Sequence, residues 1–297
     1  MRNLAQGNVI TLRRFTWPHL VQDGEEGHVT FDVEPLDADA DLGNLHRVVI
    51  IDTETTGLGP LAEIVEVALA SFMFDGTTGK VHQVGIPYVA LQEPSAPIPQ
   101  SATDVNGITN DSVKGQHIDW VKVKEMMERA DLILAHNAQF DRPIVDRVMH
   151  KALGSSVARP WGCTMSQIDW KRRHMPSKSL EVLSAFHGFW YDAHRAEADI
   201  GAVLLLLQRS GTLVDLYRNA ALDAFEVHAV NSAFETKTIL KNRGYQWNGE
   251  AKVWWTPVEN AQRAQEEVDW LGAEVYTPYR RPNQGKVVRL SAENMFK

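Results

Sequence analysis

Val48-Val49-Ile50-Ile51-Asp52-Thr53-Glu54-Thr55-Thr56-Gly57 runs four branched apolar residues into two carboxylates and then a turn. A continuous Val/Ile run marks a central strand covered on both faces. Because strand side chains alternate, Asp52 and Glu54 leave the strand end on one face. Two like charges held that close repel unless a divalent cation sits between them. A lone Asp-x-Glu at a strand end is more often turn chemistry or a helix cap, so the rest of the chain decides its meaning.

Two further segments supply matching groups. Asp131-Leu132-Ile133-Leu134-Ala135 has strand length and a polar start, and His136-Asn137-Ala138-Gln139-Phe140-Asp141 follows it. A helical pattern then continues through Ile144, Val145 and Val148, which places Asp141 in a first helical turn beside a strand end. Later, His194-Arg195-Ala196-Glu197-Ala198-Asp199 leads into the buried helical run Val203-Leu204-Leu205-Leu206-Leu207. Five residues on an ideal helix rotate by about 140°, so His194 and Asp199 converge only if His194 lies in the loop before the helix.

These three segments resemble the DEDDh 3′-to-5′ exonucleases, a family that includes RNase T, oligoribonuclease and the epsilon proofreading subunit of bacterial replicative DNA polymerase. The five signature positions are Asp52, Glu54, Asp141, His194 and Asp199, in that order, and the resemblance covers roughly residues 46–210. Smaller matches lie at Val105-Asn106-Gly107-Ile108-Thr109, Cys163-Thr164 and Ser179-Leu180 with Leu183. One departure is Asn106, where members close to the epsilon subunit often carry a His near the terminal nucleotide. Asn keeps donor and acceptor capacity.

What the resemblance implies is specific. Phosphodiester hydrolysis needs an activated water and compensation for charge on the phosphate, which two Mg2+ or Mn2+ ions supply in such enzymes. Asp52, Glu54 and Asp199 are then expected to hold one ion, and Asp52 with Asp141 the second. His194 is the expected general base, since an imidazole titrates near neutral pH. Thr55, Leu58, Asn106, His136, Asn137 and Phe140 are the expected substrate contacts, with His136 read as a hydrogen-bonding strand-end residue and Phe140 chiefly as packing beneath the metal site. The implied fold is α/β: an RNase H-like mixed β-sheet flanked by helices, with a small α+β carboxy-terminal module.

Residues 1–45 read as an amino-terminal extension, 46–212 as the exonuclease domain, 222–280 as the accessory module and 281–297 as a tail. Strands are expected at 9–13, 28–33, 48–53, 65–74, 81–89 and 132–135 and near Trp161, with a hairpin turn at Gly76-Thr77-Thr78-Gly79. Helices are expected at 119–130, 139–153, 164–173, 179–187 and 196–209. Lys171-Arg172-Arg173-His174 would end the third of these, where cations favour the negative end of the dipole. The acidic stretch 37–41 has no assigned chemistry. The module reads as strands at 225–230, 253–257 and 273–276 with helices at 234–243 and 259–271, and it carries Trp247, Trp254, Trp255 and Trp270 among Lys237, Lys241, Arg243 and Lys252. Aromatics among basic residues suit either a core or a nucleic-acid surface.

Composition bounds the class. The 297 residues are 44% hydrophobic with a formal charge of −8, enough apolar content for a large core and two domains. Residues 230–297 carry 10 Lys+Arg against 8 Asp+Glu, and the remainder 20 against 30. That balance argues against coating duplex DNA by charge alone. Cys163 is the single cysteine, so no disulfide or zinc framework forms within one chain, and a reducing, cytoplasmic setting without membrane association is expected.

The expected activity is release of nucleoside 5′-monophosphates from the 3′ end of single-stranded nucleic acid, DNA favoured over RNA, in repair or end processing, with a possible polymerase or repair-protein partner. The alternatives are a polymerase proofreading subunit and, from another class, a nucleic-acid-binding or scaffold protein with a vestigial site.

Overall fold

Val48, Val49, Ile50 and Ile51 are at most 1% exposed, as a strand covered on both faces requires. The computed structural model describes residues 12–18, 28–36, 42–59, 61–249, 251–258 and 260–297. They divide into two compact units, Met1–Ala220 with Phe296–Lys297, and Ala221–Met295. The acidic stretch 37–41 and residues 9–11 of the first expected strand lie outside the described residues.

The first unit begins with short strands β1 (Arg13–Phe15) and β2 (His28–Val29). The long strands β3 (Leu45–Thr55) and β4 (Ile64–Asp75) follow, then β5 (Val81–Val84) and β6 (Tyr88–Leu91). Helices α1 (Gln100–Asn106), α2 (Asn110–Val113) and α3 (Trp120–Glu128) lead to β7 (Leu132–Ala135), α4 (Ala138–Leu153) and β8 (Trp161–Cys163). The unit closes with α5 (Leu180–Phe186), β9 (Phe189–Trp190), α6 (Ala196–Ser210) and α7 (Leu213–Ala220). The main sheet runs β5-β4-β3-β7-β8, with β6 also on β4. Since β3 is antiparallel to β4 and parallel to β7, the sheet is mixed.

Alternation along β3 sorts the core into two layers. Val48 and Ile50 face a cluster containing the α6 residues Ile200, Leu204 and Leu207 together with Phe15 and Trp17. Val49 and Ile51 face the α3 and α4 residues Val123, Met127, Ile144 and Val145. Continuing that alternation, Asp52 and Glu54 fall on the α6 side and Thr53 on the α4 side.

Several expected elements differ. No helix forms over 164–173, where the chain makes successive turns. Side chains capture its backbone groups instead: Gln167 Oε1 accepts from Cys163 N, Trp170 Nε1 donates to Thr164 O, and Asp169 Oδ1 accepts from Arg172 N. Lys171–His174 therefore ends no helix of its own. Arg173 nevertheless donates to Ser210 O at 3.1 Å, so it meets the carboxyl end of α6. The strand at 81–89 is split because Gly85 approaches Ser71 so closely that a Cβ would lie 2.9 Å from its hydroxyl, and Pro87 lacks an N–H. The expected strand over 28–33 is confined to His28–Val29, and α1, α2 and α7 were not foreseen.

The extension is structured where described. β1 pairs with β2 and with β9, and Phe15, Trp17 and Phe31 form an aromatic cluster. Trp17 Nε1 donates to Glu197 O at 3.0 Å, tying the segment to α6. Among the described residues no single helix is long and apolar enough to cross a membrane.

The second unit runs β10 (Ala224–Ala229), α8 (Lys237–Arg243), β11 (Gln246–Asn248), β12 (Val253–Val258), α9 (Ala261–Trp270) and β13 (Gly285–Leu290). Its sheet order is β11-β12-β10-β13, antiparallel throughout. That is the split β-α-β arrangement of ferredoxin-like folds. Residues 281–297 are thus no tail, because β13 pairs along all of β10. Residues 273–276 are no strand either. Leu271–Tyr276 is a π-helical continuation of α9, and Leu271, Val275 and Tyr276 are all buried at spacings that suit a helix rather than a strand.

Gly201 tests the tie between the extension and α6. A Cβ there would lie 2.3 Å from Phe15 Cε1 and 3.1 Å from Trp17 Cε2. Gly201→Ala should destabilise the first unit by about 1–3 kcal/mol through overpacking, and urea unfolding checks it.

Candidate active site

Three carboxylates converge because three backbone rules agree. Asp52 and Glu54 share the α6 side of β3, and Asp199 stands in the first turn of α6. Their oxygens lie within 4.8 Å of one another. Asp141 arrives from the opposite layer, in the first turn of α4, and is 3% exposed. Thr53, pointing to that layer, donates its hydroxyl to Asp141 Oδ1 at 2.8 Å.

Asp199, Glu54 and Glu66 each have a neighbour that supports them. Tyr191 donates its hydroxyl to Asp199 Oδ1 at 3.0 Å, and the Arg195 amide donates to Oδ2 at 3.1 Å. Asn106, 4% exposed, lies beside the Glu54 carboxylate and favours its charged form, while its own Oδ1 accepts from the Ile108 amide at 2.9 Å. Glu66 lies across from Glu54 in the β3–β4 register and is 1% exposed. It accepts from Arg195 Nη2 at 2.8 Å and from the Ala196 amide at 3.0 Å, fixing the start of α6 to β4.

The electrostatics show what this crowding costs. Burial, reinforced by Asp141 and Asp199, pushes Asp52 well above the usual carboxylate range. Burial and Asp199 push Glu54 up to about 7, against the lowering bond from Asn106. Burial also raises Asp141 to about 7, opposed by Thr53, and Asp199 to about 6, opposed by Tyr191. An all-oxygen donor set whose ionised form is penalised this strongly fits a hard divalent cation, which would restore the charged form.

His194 lies in the loop before α6, its side chain about half exposed, with Nε2 3.5 Å from Glu181 Oε1. Its φ of 65° is a left-handed value uncommon for a residue with a Cβ, and the neighbouring Arg195–Glu66 pair anchors the backbone there. His136 Nδ1 meets the Thr164 hydroxyl at 2.6 Å and Nε2 the Lys178 carbonyl at 2.9 Å, and burial lowers its pKa to about 4. It is therefore neutral, with both ring nitrogens engaged inside the protein. Next to it, Cys163 Sγ donates to the His136 carbonyl at 3.2 Å.

A cleft of about 220 Å³ opens beside the carboxylates, lined by Asp52, Asp141, Asp199 and His194 with His136, Asn137, Phe140 and Leu180. Thr55 and Leu58 stand outside that lining: the Thr55 hydroxyl donates to Gly57 O at 2.7 Å within its own turn, and Leu58 is 90% exposed. Asn106 is also outside it, facing Glu54.

Sequence reasoning overlooked Glu66, Tyr191, Thr53 and Glu181, and gave Arg195 no role. Glu66 alone carried a usable signal, since a carboxylate inside the run Ile64-Val65-Glu66-Val67 must find a cationic partner when buried.

The comparisons agree with this geometry. The model of an exonuclease family, that of RNase T, matches residues 49–207, more than half of the chain. The PolC-type DNA polymerase III of Thermotoga petrophila is 29% identical over 150 residues, 48% of this chain and 10% of the polymerase. An uncharacterized exonuclease of Escherichia phage 186 is 43% identical over 68 residues, 22% of this chain and 28% of that protein. The chain thus spans about a tenth of the polymerase relative. Escherichia coli exonuclease I, solved with a dT13 oligonucleotide, shares the fold with a TM-score of 0.50 at 14% identity, covering 84% of this chain and 64% of that one.

Raised carboxylate pKa values make metal-free stability depend on pH with a definite sign. The folded state holds protons that the unfolded chain releases above its ordinary carboxylate pKa near 4. These groups therefore stabilise fully below that value and lose their contribution as pH rises through about 6 to about 7. In chelator, Tm should fall between about pH 5 and about pH 8, while added Mg2+ and, separately, Asp52→Asn should flatten the fall. A metal-free Tm that climbs over that range would contradict the account.

Proposed function

The chain belongs to the RNase T exonuclease family, and from that premise we propose that it is a metal-dependent 3′-to-5′ exonuclease releasing nucleoside 5′-monophosphates from single-stranded nucleic acid, DNA in preference to RNA. The observation that carries this reading is the convergence of Asp52, Glu54 and Asp199, with their oxygens within 4.8 Å, beside a cleft that also holds Asp141 and His194. The DNA preference takes its support from the polymerase relatives, which are named as DNA polymerases. The single buried, reduced Cys163 suits a cytoplasmic enzyme.

Asp52, Glu54 and Asp199 would hold one cation, and Asp52 with Asp141 a second. Two bound Mg2+ or Mn2+ ions supply compensation for phosphate charge and lower the pKa of water. The remaining chemistry belongs to side chains. Tyr191 and the Arg195 amide fix both oxygens of Asp199, so it presents one geometry to its ligand. Thr53 holds one oxygen of Asp141, and Asn106 favours the charged form of Glu54. His194, half exposed at the cleft, takes the proton from the attacking water. Phe140 and Leu180 offer apolar surface to the terminal nucleotide, and Asn137 offers its amide. Leu58, outside the cleft lining, would contact the nucleotide only from its exposed loop, whose shape Thr55 sets through Gly57. His136 contributes by position, since its ring nitrogens are already bonded.

A second reading, proofreading within or beside a DNA polymerase, is favoured by relatives in which the matching segment is part of a polymerase chain. Extension assays with a mismatched primer and a replicative polymerase separate the two.

Digestion of 5′-labelled single-stranded DNA and RNA in Mg2+, Mn2+ or chelator tests the main reading. A ladder shortening from the 3′ end only with metal is expected, faster on DNA. Asp52→Ala and Asp199→Ala should abolish it, and His194→Ala should slow it by roughly 10²–10⁴-fold, the range for loss of a general base. Digestion that proceeds in chelator, or that starts at the 5′ end, would refute the assignment. Asn106→Ala should weaken metal binding, raising the Mg2+ needed for half-maximal rate, whereas an unchanged requirement would return Asn106 to a purely structural role.

A further inference from the structure

The second unit has one helical layer and one sheet, so one face of its sheet is not covered by its own helices. Alternation identifies that face. Phe225, Val227 and Ala229 of β10 and Trp254 and Val258 of β12 join the core with Leu240, Ala264 and Leu271. Gly285 of β13 also faces the helical layer, since a Cβ there would meet Leu271 and Val268. The opposite face therefore carries Glu226 and His228 of β10, Val253, Trp255 and Pro257 of β12, Gln246 of β11, and Lys286, Val288 and Leu290 of β13.

The register lines four of these into a row. Gln246 pairs with Trp255, Trp255 with His228, and His228 with Lys286. With strands about 4.8 Å apart, the row crosses the whole sheet in about 14 Å. It places an amide, an indole, an imidazole and an ammonium side by side, with the two rings on the two central strands. Trp255 and His228 are half-buried, as rings lying against a pleated surface are.

The helical side carries Glu235, Glu266, Glu267, Asp269 and Glu274 together with Lys237, Lys241, Arg243 and Arg263. The sheet side carries Lys286, which makes no ion pair among the described residues. The carboxylate on that face, Glu226, is held by His228 Nε2 at 2.8 Å.

We propose that this sheet face binds single-stranded nucleic acid, with bases stacking on Trp255 and His228, Gln246 bonding a base edge, and Lys286 meeting phosphate. Rings on the central strands of a four-stranded sheet are how such folds hold unpaired bases, and stacking tolerates any sequence. The assignment takes its polymer class from the exonuclease reading and adds a second surface for it on the same chain, raising the local concentration of a tethered strand.

Anisotropy of labelled oligothymidylate and oligouridylate, longer than the 4–16 nucleotides that accessory sites span, tests this on the full chain in chelator, where no hydrolysis intervenes. Trp255→Ala and Lys286→Glu should each weaken binding by about tenfold, Trp255→Phe should restore most of it, and Lys286→Glu should also flatten the salt dependence. The two polymers report DNA or RNA preference. Hydrolysis of the nitrophenyl ester of thymidine 5′-monophosphate, which needs only the carboxylate site, should be unchanged in all three variants. Folded variants that bind both polymers as the parent does would overturn the proposal while leaving the exonuclease reading intact. Loss of binding in variants of a chain that hydrolyses neither substrate would sustain the surface and remove the exonuclease reading.

Discussion

Carboxylates that repel one another in a desolvated place set the terms for the rest of the first unit. Asp52, Glu54 and Asp199 have oxygens within 4.8 Å, and Asp141 stands close enough to raise Asp52 further. Without compensation the cluster holds protons, and with a divalent cation it need not. Keeping such groups together demands a frame that cannot relax. That frame is the central position of β3, with apolar layers on both faces, and the Glu66–Arg195 pair that fixes the start of α6 to β4. Glu66 is itself buried, so its loss would leave the Ala196 amide without its acceptor, release the half-exposed Arg195 and loosen the helix carrying Asp199.

The supporting bonds follow one logic. Three of the acids have a neutral partner from a different element: Thr53 on β3 for Asp141, Tyr191 ahead of α6 for Asp199, and Asn106 at the end of α1 beside Glu54. Donors lower a carboxylate's pKa and fix its rotamer together. The buried site is thus pre-shaped for a cation by neutral partners, while the Arg195 guanidinium is held on Glu66.

Much of this was legible in the sequence. The Val/Ile run located β3, and the alternation beyond it put Asp52 and Glu54 on a common face. The polyleucine segment located α6 and, through helical rotation, put His194 ahead of it. The small matches around Asn106 and Ser179 fell close to the site. What stayed hidden depends on contacts between segments far apart in sequence. Nothing local reveals that Tyr191 meets Asp199, that Thr55 spends its hydroxyl on Gly57, or that Trp170 ends a helix before it starts by bonding Thr164. The second unit's last strand was misplaced for a related reason: the apolar residues of 271–276 suit either period, and the burial of Leu271 and Val275 against the sheet decides for a helix.

Cys163 gives this architecture a consequence of another kind. Its thiol is 2% exposed, sits on β8 at an edge of the main sheet, and donates to the carbonyl of His136 at the mouth of the cleft. As the lone thiol in the chain it is invisible to alkylating reagents until that edge opens, so its modification rate measures a local opening free energy rather than surface reactivity. The protein carries, in a single native atom, a gauge of how tightly the cleft edge is held.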